Sequence, residues 1–435
     1  MRSIDVGLLL TDKADFCLNG DFLFGTKRCC GDFVATALAD GSVCWQCGCS
    51  ERVVLKPTTT ECSFTIRNVV IGIDFHWQRC EEQTFVGELH LFVEDGKVRV
   101  VNRVVVEDYL VSVISSEMSA TSSLQLLKAH AIISRSWLYA QILRASMGGD
   151  AASVCGWSND NEIVRWYERE DHKLFDFCAD DHCQRYQGIT KALSPDVKRA
   201  VAETADIVLE HCGSVCDARF SKCCGGITEK FSSCWGEKNV PYLASFRDTK
   251  VGSEPFDAST EEAAREWIES AHDAFCSVAD AAVLSQVLNG YDRETNDFYR
   301  WRVSYTQSEL SKLLKRKSGI DFGMVEELIP LERGSSGRIT RLKIVGDKHC
   351  IVVGKELEIR RWLSSSHLYS SAFVVNKNIS ASGEPLFELK GAGWGHGVGL
   401  CQIGAAMMGE QGYDYTQILA HYYPDTNLKN INTLI

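Results

Sequence analysis

The chain has 435 residues, 24% of them charged and 45% hydrophobic, with a formal net charge of −12 at pH 7. That length supports a large core and two or more subdomains, and the composition is that of an ordinary soluble globular protein. The acidic balance argues against nucleic acid or an anionic membrane surface as partner, and no apolar run approaches the ~18 residues of a membrane-spanning helix.

In chain order, the first residues hold a short apolar run broken by acids, which reads as an edge strand and not as a signal peptide. Residues 4 to about 115 read as β-rich, with short apolar runs separated by turn signals. Glu94-Asp95-Gly96-Lys97 is a hairpin turn of the Asp-Gly kind, and Val98 to Val106 is the return strand. From Ser122 to about Ala145, Leu124, Leu127, Ala131, Leu138 and Ile142 recur at helical spacing, which predicts a long amphipathic helix. The hydroxyls of 121–123 offer an N-cap, and Gly148-Gly149 stops the element. A second helix is expected from Pro195, leading into a strand at 207–209. Residues 250–316 are acidic, Ala-rich and largely helical in pattern, and read as a peripheral insertion. Strands are expected at 339–345, 350–353 and 372–376, with a turn at 334–337 and a last helix near 401–411. The fold class is therefore α+β: an interwoven mixed unit with a β-rich N-terminal region (1–100) and a core (101–249 and 317–435) built on the long helix.

The cysteine count is 19, an odd number, and two pairs are adjacent in sequence (Cys29-Cys30 and Cys223-Cys224). In a chain this long the pattern reads as mostly reduced thiols with some recruited to metal. His172, Cys178, His182 and Cys183 form the cluster that suits a tetrahedral zinc ion. Four protein ligands leave no open position, so such a zinc is structural. Cys44, Cys47 and Cys49 form a weaker cluster and read as thiols.

Three further stretches could carry chemistry. Glu117, expected between a strand end and a helix start, is either a dipole partner of that helix or a general acid. Arg135, between Ser134 and Ser136, reads as a surface residue or as an anion clamp. Cys223-Cys224-Gly225-Gly226-Ile227-Thr228-Glu229 is a glycine turn followed by a hydroxyl. Gly393 to Ala406 is denser still in glycine and presents His396 and Gln402. Trp235, Trp394, Tyr422 and Tyr423 are core residues or platforms for sugar rings. Cys401 near His396 raises a cysteine peptidase as an alternative, with no local motif to support the pairing.

Several segments match one family together. They are Tyr109-Leu110-x-Ser112-Val113-Ile114-x-Ser116-Glu117-Met118 and Leu126 to Ser136, then Cys224-Gly-Gly-x-Thr-Glu with Trp235-Gly236 and Pro241-Tyr242-Leu243. Gly395-His396-Gly397-Val398-Gly399-x-x-Gln402 and Ile418-Leu419-x-His421-Tyr422-Tyr423-Pro424 follow. In this order they resemble the stage II sporulation protein D (SpoIID) family, which includes the amidase enhancers. The resemblance implies a lytic transglycosylase that cleaves MurNAc-β-1,4-GlcNAc bonds in peptidoglycan strands denuded of stem peptides, leaving 1,6-anhydro-MurNAc ends. It implies Glu117 as the acid, Arg135, Thr228, His396 and Gln402 as substrate-binding residues, and zinc on the His-Cys-His-Cys cluster. The alternative is a glycan-binding amidase enhancer of the same fold, with a cell-wall amidase as partner. The substrate implies the cell envelope. The sequence departs from the family pattern at Ser119, where proline is usual, and at Cys224 and Cys401, where serine is common.

Overall fold

In the computed structural model, the described residues are 2–71, 79–119, 122–146, 155–167, 172–180, 183–190, 194–250, 254–270, 272–278, 280–287, 297–381 and 383–434. His182 and the Gly148-Gly149 stop signal lie outside them. The chain divides into two compact units, one of residues 1–120 with 171–205 and one of 121–170 with 206–435. Helices and strands are mixed throughout, with a strand-rich N-terminal stretch, so the α+β class is confirmed.

The first unit is built on an 11-stranded sheet among the described residues. Ser3–Thr11 pairs antiparallel with Lys97–Val105, which pairs in turn with Glu88–Glu94. Asp95 and Gly96 join the last two strands with φ of 50° and 74°, the positive values that an Asp-Gly hairpin turn requires. Alternate residues such as Phe16, Phe22, Phe64, Phe85, Leu89 and Leu91 are buried, the period-2 pattern of a sheet with one covered face. The strand run ends earlier than the expected 115. Helix α1 (Val106–Glu117) leaves the strand at Val105 with no turn between them. Tyr109, Leu110, Val113 and Ile114 form its buried face. Glu117 is thus the last residue of a helix, a correction to the expected place before a helix start.

The second unit is organised around α2 (Leu124–Ser146). Ser123 caps it, accepting the Leu126 N–H at 3.3 Å. This helix is not amphipathic, because every residue from 129 to 139 is buried. It packs against strand Ile207–His211 and against helices Gln402–Glu410 and Tyr415–Tyr422, so neighbours cover all its faces. Beside it, Cys155–Ser158, Glu162–Trp166, Cys350–Gly354, Ile339–Gly346 and Val325–Arg333 form a five-stranded sheet. The stretch 250–316 holds helices Glu261–Glu269 and Ala281–Val287 and also strand Arg300–Thr306, which pairs with Pro385–Ala392. Trp301, Leu342, Ile344, Trp362, Phe373 and Phe387 share one core cluster here.

Candidate functional site

In the first unit the sequence motifs meet on α1. Tyr109 stacks on Tyr186 with ring centroids 5.1 Å apart, and its hydroxyl donates to Gln184 Oε1 at 3.3 Å. Burial, and after it the Cys183 and Cys178 sulfurs, pushes the Tyr109 hydroxyl well above the ordinary tyrosine pKa. Two turns later the same helix carries Glu117, which is half-buried, with Ser116 and Met118 buried on either side.

His172, Cys178 and Cys183 come together as the sequence predicts, with ligand atoms all within 4.8 Å of one another. His172 Nε2 lies 3.6 Å from Cys183 Sγ. With zinc–ligand bonds of about 2.0–2.3 Å, one edge of a tetrahedral site spans about 3.6 Å, so the donor set fits the ion. Cys178 lies in the short strand Phe177–Cys178, which pairs parallel with Val6 and Gly7. The cluster therefore fastens a loop both to the sheet and, through Tyr186 and Gln184, to the helix that carries Glu117.

In the second unit the glycine-rich loop wraps a buried charge. Gly393, Gly395, Gly397 and Gly399 all have φ between 72° and 91°. A Cβ on Gly397 would lie 2.4 Å from Arg338 Cζ. Arg338 is fully buried and donates to Gly395 O at 3.0 and 3.2 Å, to Cys224 O at 3.2 Å and to Ser336 Oγ at 2.8 Å. The Ser336 hydroxyl donates in turn to Glu229 Oε2 at 2.6 Å, and Glu229 is also fully buried. The loop thus closes over an Arg338–Ser336–Glu229 chain. Sequence reasoning missed Arg338 altogether, because more than a hundred residues separate it from Glu229 and no local motif marks it.

His396 is half-buried, packed edge-on to Trp235 at 5.0 Å. Its Nδ1 accepts the Val398 N–H at 3.0 Å. Burial, and then the Arg219, Arg338 and Arg360 guanidiniums, hold its imidazole well below the ordinary histidine pKa, so the ring is neutral. Arg219 lies over Trp235, with its guanidinium carbon 4.4 Å from the ring centroid.

Other expected substrate contacts lie inside the fold. Arg135 is fully buried and donates to Ile207 O at 3.1 Å, while neighbouring Ser136 Oγ accepts the Leu209 N–H at 2.7 Å. Thr228 is fully buried, donating to Ala244 O and accepting from Phe246 N–H, both at 3.0 Å. Gln402 is buried, with its amide 3.3 Å from His130 Nε2. Tyr422 and Tyr423 are core residues. Cys401 is buried as well, and its Sγ accepts the Cys224 N–H at 3.2 Å, so it lacks the exposure that a nucleophilic thiol needs. An open groove of about 450 Å³ on this unit is lined by Trp157, Glu162, Glu237, Arg341 and Lys355 among others. Trp157 is 49% exposed there.

The comparisons with known proteins fall on two stretches of the chain. Residues 94–211 match the family described as stage II sporulation protein. Residues 229–399 match a domain of unknown function, DUF8618. Similar proteins include an amidase enhancer of Bacillus subtilis, 26% identical over 54% of this chain and 32% of that protein. An uncharacterized protein of Brachyspira hyodysenteriae is 25% identical over 80% of the chain and 73% of its own length. The stage II sporulation protein D of Bacillus amyloliquefaciens is 22% identical over 77% of each.

The chain carries a stretch of the SpoIID family.

The match to the amidase enhancer spans about a third of that protein's length. Glu117, Arg135 and the His172, Cys178 and Cys183 donors fall in the stretch that matches the SpoIID description. Arg338, Glu229 and His396 fall in the DUF8618 stretch, outside the one that matches SpoIID. Among the described residues, no helix is long and apolar enough to cross a membrane.

Proposed function

We propose that this chain is a peptidoglycan lytic transglycosylase, cutting MurNAc-β-1,4-GlcNAc bonds in glycan strands denuded of stem peptides. The observation that carries the reading is Glu117 at the end of α1, on a helix whose other face is locked into the first unit, inside the stretch that matches SpoIID. A general acid needs a fixed side chain with access to substrate, and a half-buried helix terminus offers both. Ordinary glycosidases use two carboxylates. A transglycosylase needs one, because the sugar's own C6 hydroxyl is the nucleophile. Glu117 donates its proton to the leaving glycosidic oxygen. It then accepts the proton of the C6 hydroxyl as that oxygen closes on the anomeric carbon, giving the 1,6-anhydro end.

His172, Cys178 and Cys183 would hold a zinc ion, with His182, outside the described residues, as the fourth ligand expected from sequence, and the ion would supply a structural tie and no chemistry at the bond that breaks. Arg135 and Thr228 hold backbone groups inside the second unit, and Gln402 meets His130 there. His396 serves as a neutral hydrogen-bonding group on the loop, and exposed Trp157 offers a face for a sugar ring. The cell envelope is the compartment that this substrate requires.

Purified protein incubated with denuded strands, and separately with peptide-bearing strands, tests the substrate class. The reading expects 1,6-anhydro-MurNAc ends, by mass spectrometry, from the denuded strands alone. The similarity to a protein named amidase enhancer favours one second reading, a glycan-binding partner of a cell-wall amidase. That reading expects no new glycan ends, and faster release of stem peptides when an amidase is present.

A further inference from the structure

Three thiols and a carboxylate, with the buried Cys223 thiol beside them, meet in the interior of the second unit. Cys224, Cys276, Cys401 and Asp248 are all buried, and their ligand atoms lie within 4.8 Å of one another. Cys224 Sγ is 3.5 Å from Cys276 Sγ and 3.2 Å from Asp248 Oδ2. With metal–sulfur bonds of about 2.3 Å and metal–oxygen bonds of about 2.0–2.2 Å, a tetrahedral ion has edges of about 3.8 Å between sulfurs and 3.6 Å between sulfur and oxygen. These two edges at Cys224 are within a few tenths of an ångström of those figures. A disulfide has a bond of about 2.05 Å, far shorter than the 3.5 Å between Cys224 and Cys276, and all of these cysteines are free.

We infer that Cys224, Cys276, Cys401 and Asp248 form a second structural zinc site. Three soft sulfur donors and one carboxylate suit zinc and exclude magnesium or calcium. Four protein ligands fill a tetrahedron, so the ion has no open position and no catalytic part. The surroundings are those of a metal ligand set. Asp248 Oδ1 accepts from Tyr422 OH at 2.8 Å and lies 3.1 Å from His421 Nε2, which orients the carboxylate and leaves Oδ2 toward the sulfurs. Each thiol releases its proton to solvent when the ion binds. Zinc with three thiolates and one carboxylate carries a net charge of −2. Arg338 and Arg300 offset it, donating to Cys224 O at 3.2 Å and to Gly225 O at 3.1 Å.

The site ties together three features of the chain. It gives the buried Cys224 and Cys401 thiols a shared role. It gives the acidic stretch 250–316 an anchor, because Cys276 lies within it. The turn at Cys224 and the start of helix Gln402–Glu410, where Cys401 Sγ accepts the Gly404 N–H at 3.5 Å, become one clamped unit. Phe275 N–H, donating to Asp248 O at 2.7 Å, already holds the Cys276 segment in place.

The test is the zinc content of the full-length chain purified from zinc-supplied cells, measured by elemental mass spectrometry beside the protein concentration. Wild type is expected to hold two zinc ions per chain. Cys178→Ser/Cys183→Ser, which removes the ligands of the first site, is expected to hold one, and adding Cys276→Ser to leave none. A zinc-free Cys178→Ser/Cys183→Ser protein overturns the inference, as does a Cys276→Ser protein with the zinc of wild type. If Cys276→Ser does not fold, the Cys178→Ser/Cys183→Ser protein loaded with cobalt decides. The sulfur-to-cobalt charge-transfer and tetrahedral ligand-field bands are expected, and their absence overturns the assignment. An intact mass short by the two hydrogens of a disulfide would also overturn it.

Discussion

His130 sits inside α2 with no solvent exposure, its ring nitrogens 3.2 Å from Ser134 Oγ and 3.3 Å from the Gln402 amide. Burial, and then the charge of Lys222, lowers its pKa to about 3. The unfolded chain takes up a proton near the ordinary value of about 6.5, which the folded state refuses until much lower pH. The stability this residue carries is therefore complete above pH 6.5 and is lost as pH falls toward 3. Between pH 7 and pH 5 the unfolding free energy should fall by about 2 kcal/mol from this group. Denaturant titrations at both values check it, with His130→Gln showing a smaller fall than wild type; equal falls would refute the assignment. Gly397 carries a different constraint, with φ of 75° and the Arg338 guanidinium where a Cβ would stand. Gly397→Ala should cost about 1–3 kcal/mol, read as a lower denaturation midpoint with an unchanged slope. Glu117 and His396 stood out at this scale because short motifs surround them. Arg338, Asp248 and Cys276 were not, because each acts through partners distant in sequence and stands in a stretch with no pattern of its own.

At the scale of elements, α1 and the cysteine loop behave as one piece, since Tyr109 on the helix meets Tyr186 and Gln184 from the loop. Removing a zinc ligand should loosen both. Cys178→Ser is expected to lower the first unfolding transition, each kcal/mol lost moving the midpoint by about 2–4 °C in a unit of this size. Calorimetry of wild type and variant, with and without chelator, checks it; an unshifted wild-type transition in chelator would count against the tie. The start of α1 was misread for a physical reason. Val104, Val105 and Val106 are β-branched, and Val105 offers no side-chain cap, so neither a turn residue nor a hydroxyl marks where strand becomes helix. The amphipathic reading of α2 failed because neighbouring elements bury its serines, its arginine and its histidine together with its leucines. Helix Tyr415–Tyr422 was passed over although its signal was present, for Asp414 and Gln417 form a capping box. Asp414→Ala should cost about 1 kcal/mol.

For the whole molecule, the two compact units divide the assigned roles. The first holds Glu117 and the His-Cys cluster, and the second holds the glycine-rich loop, the Arg338–Glu229 network and the Cys-Asp cluster. The α+β class and most elements followed from apolar period and turn residues, which local sequence dictates. The interleaved division into 1–120 with 171–205 did not, because it depends on which distant segments pack together. The family, too, was legible only as a series of motifs in order, since no single one of them carries the chemistry. The account rests on one glutamate cutting a glycan without a second carboxylate. Zinc-loaded wild type and Glu117→Gln, compared by circular dichroism for folding and then incubated with denuded strands, test that most directly. The account predicts 1,6-anhydro-MurNAc ends from wild type, and a rate lower by about 10²–10⁴ in the variant. Equal rates from the two proteins, or no anhydro ends from folded, zinc-loaded wild type, would contradict it.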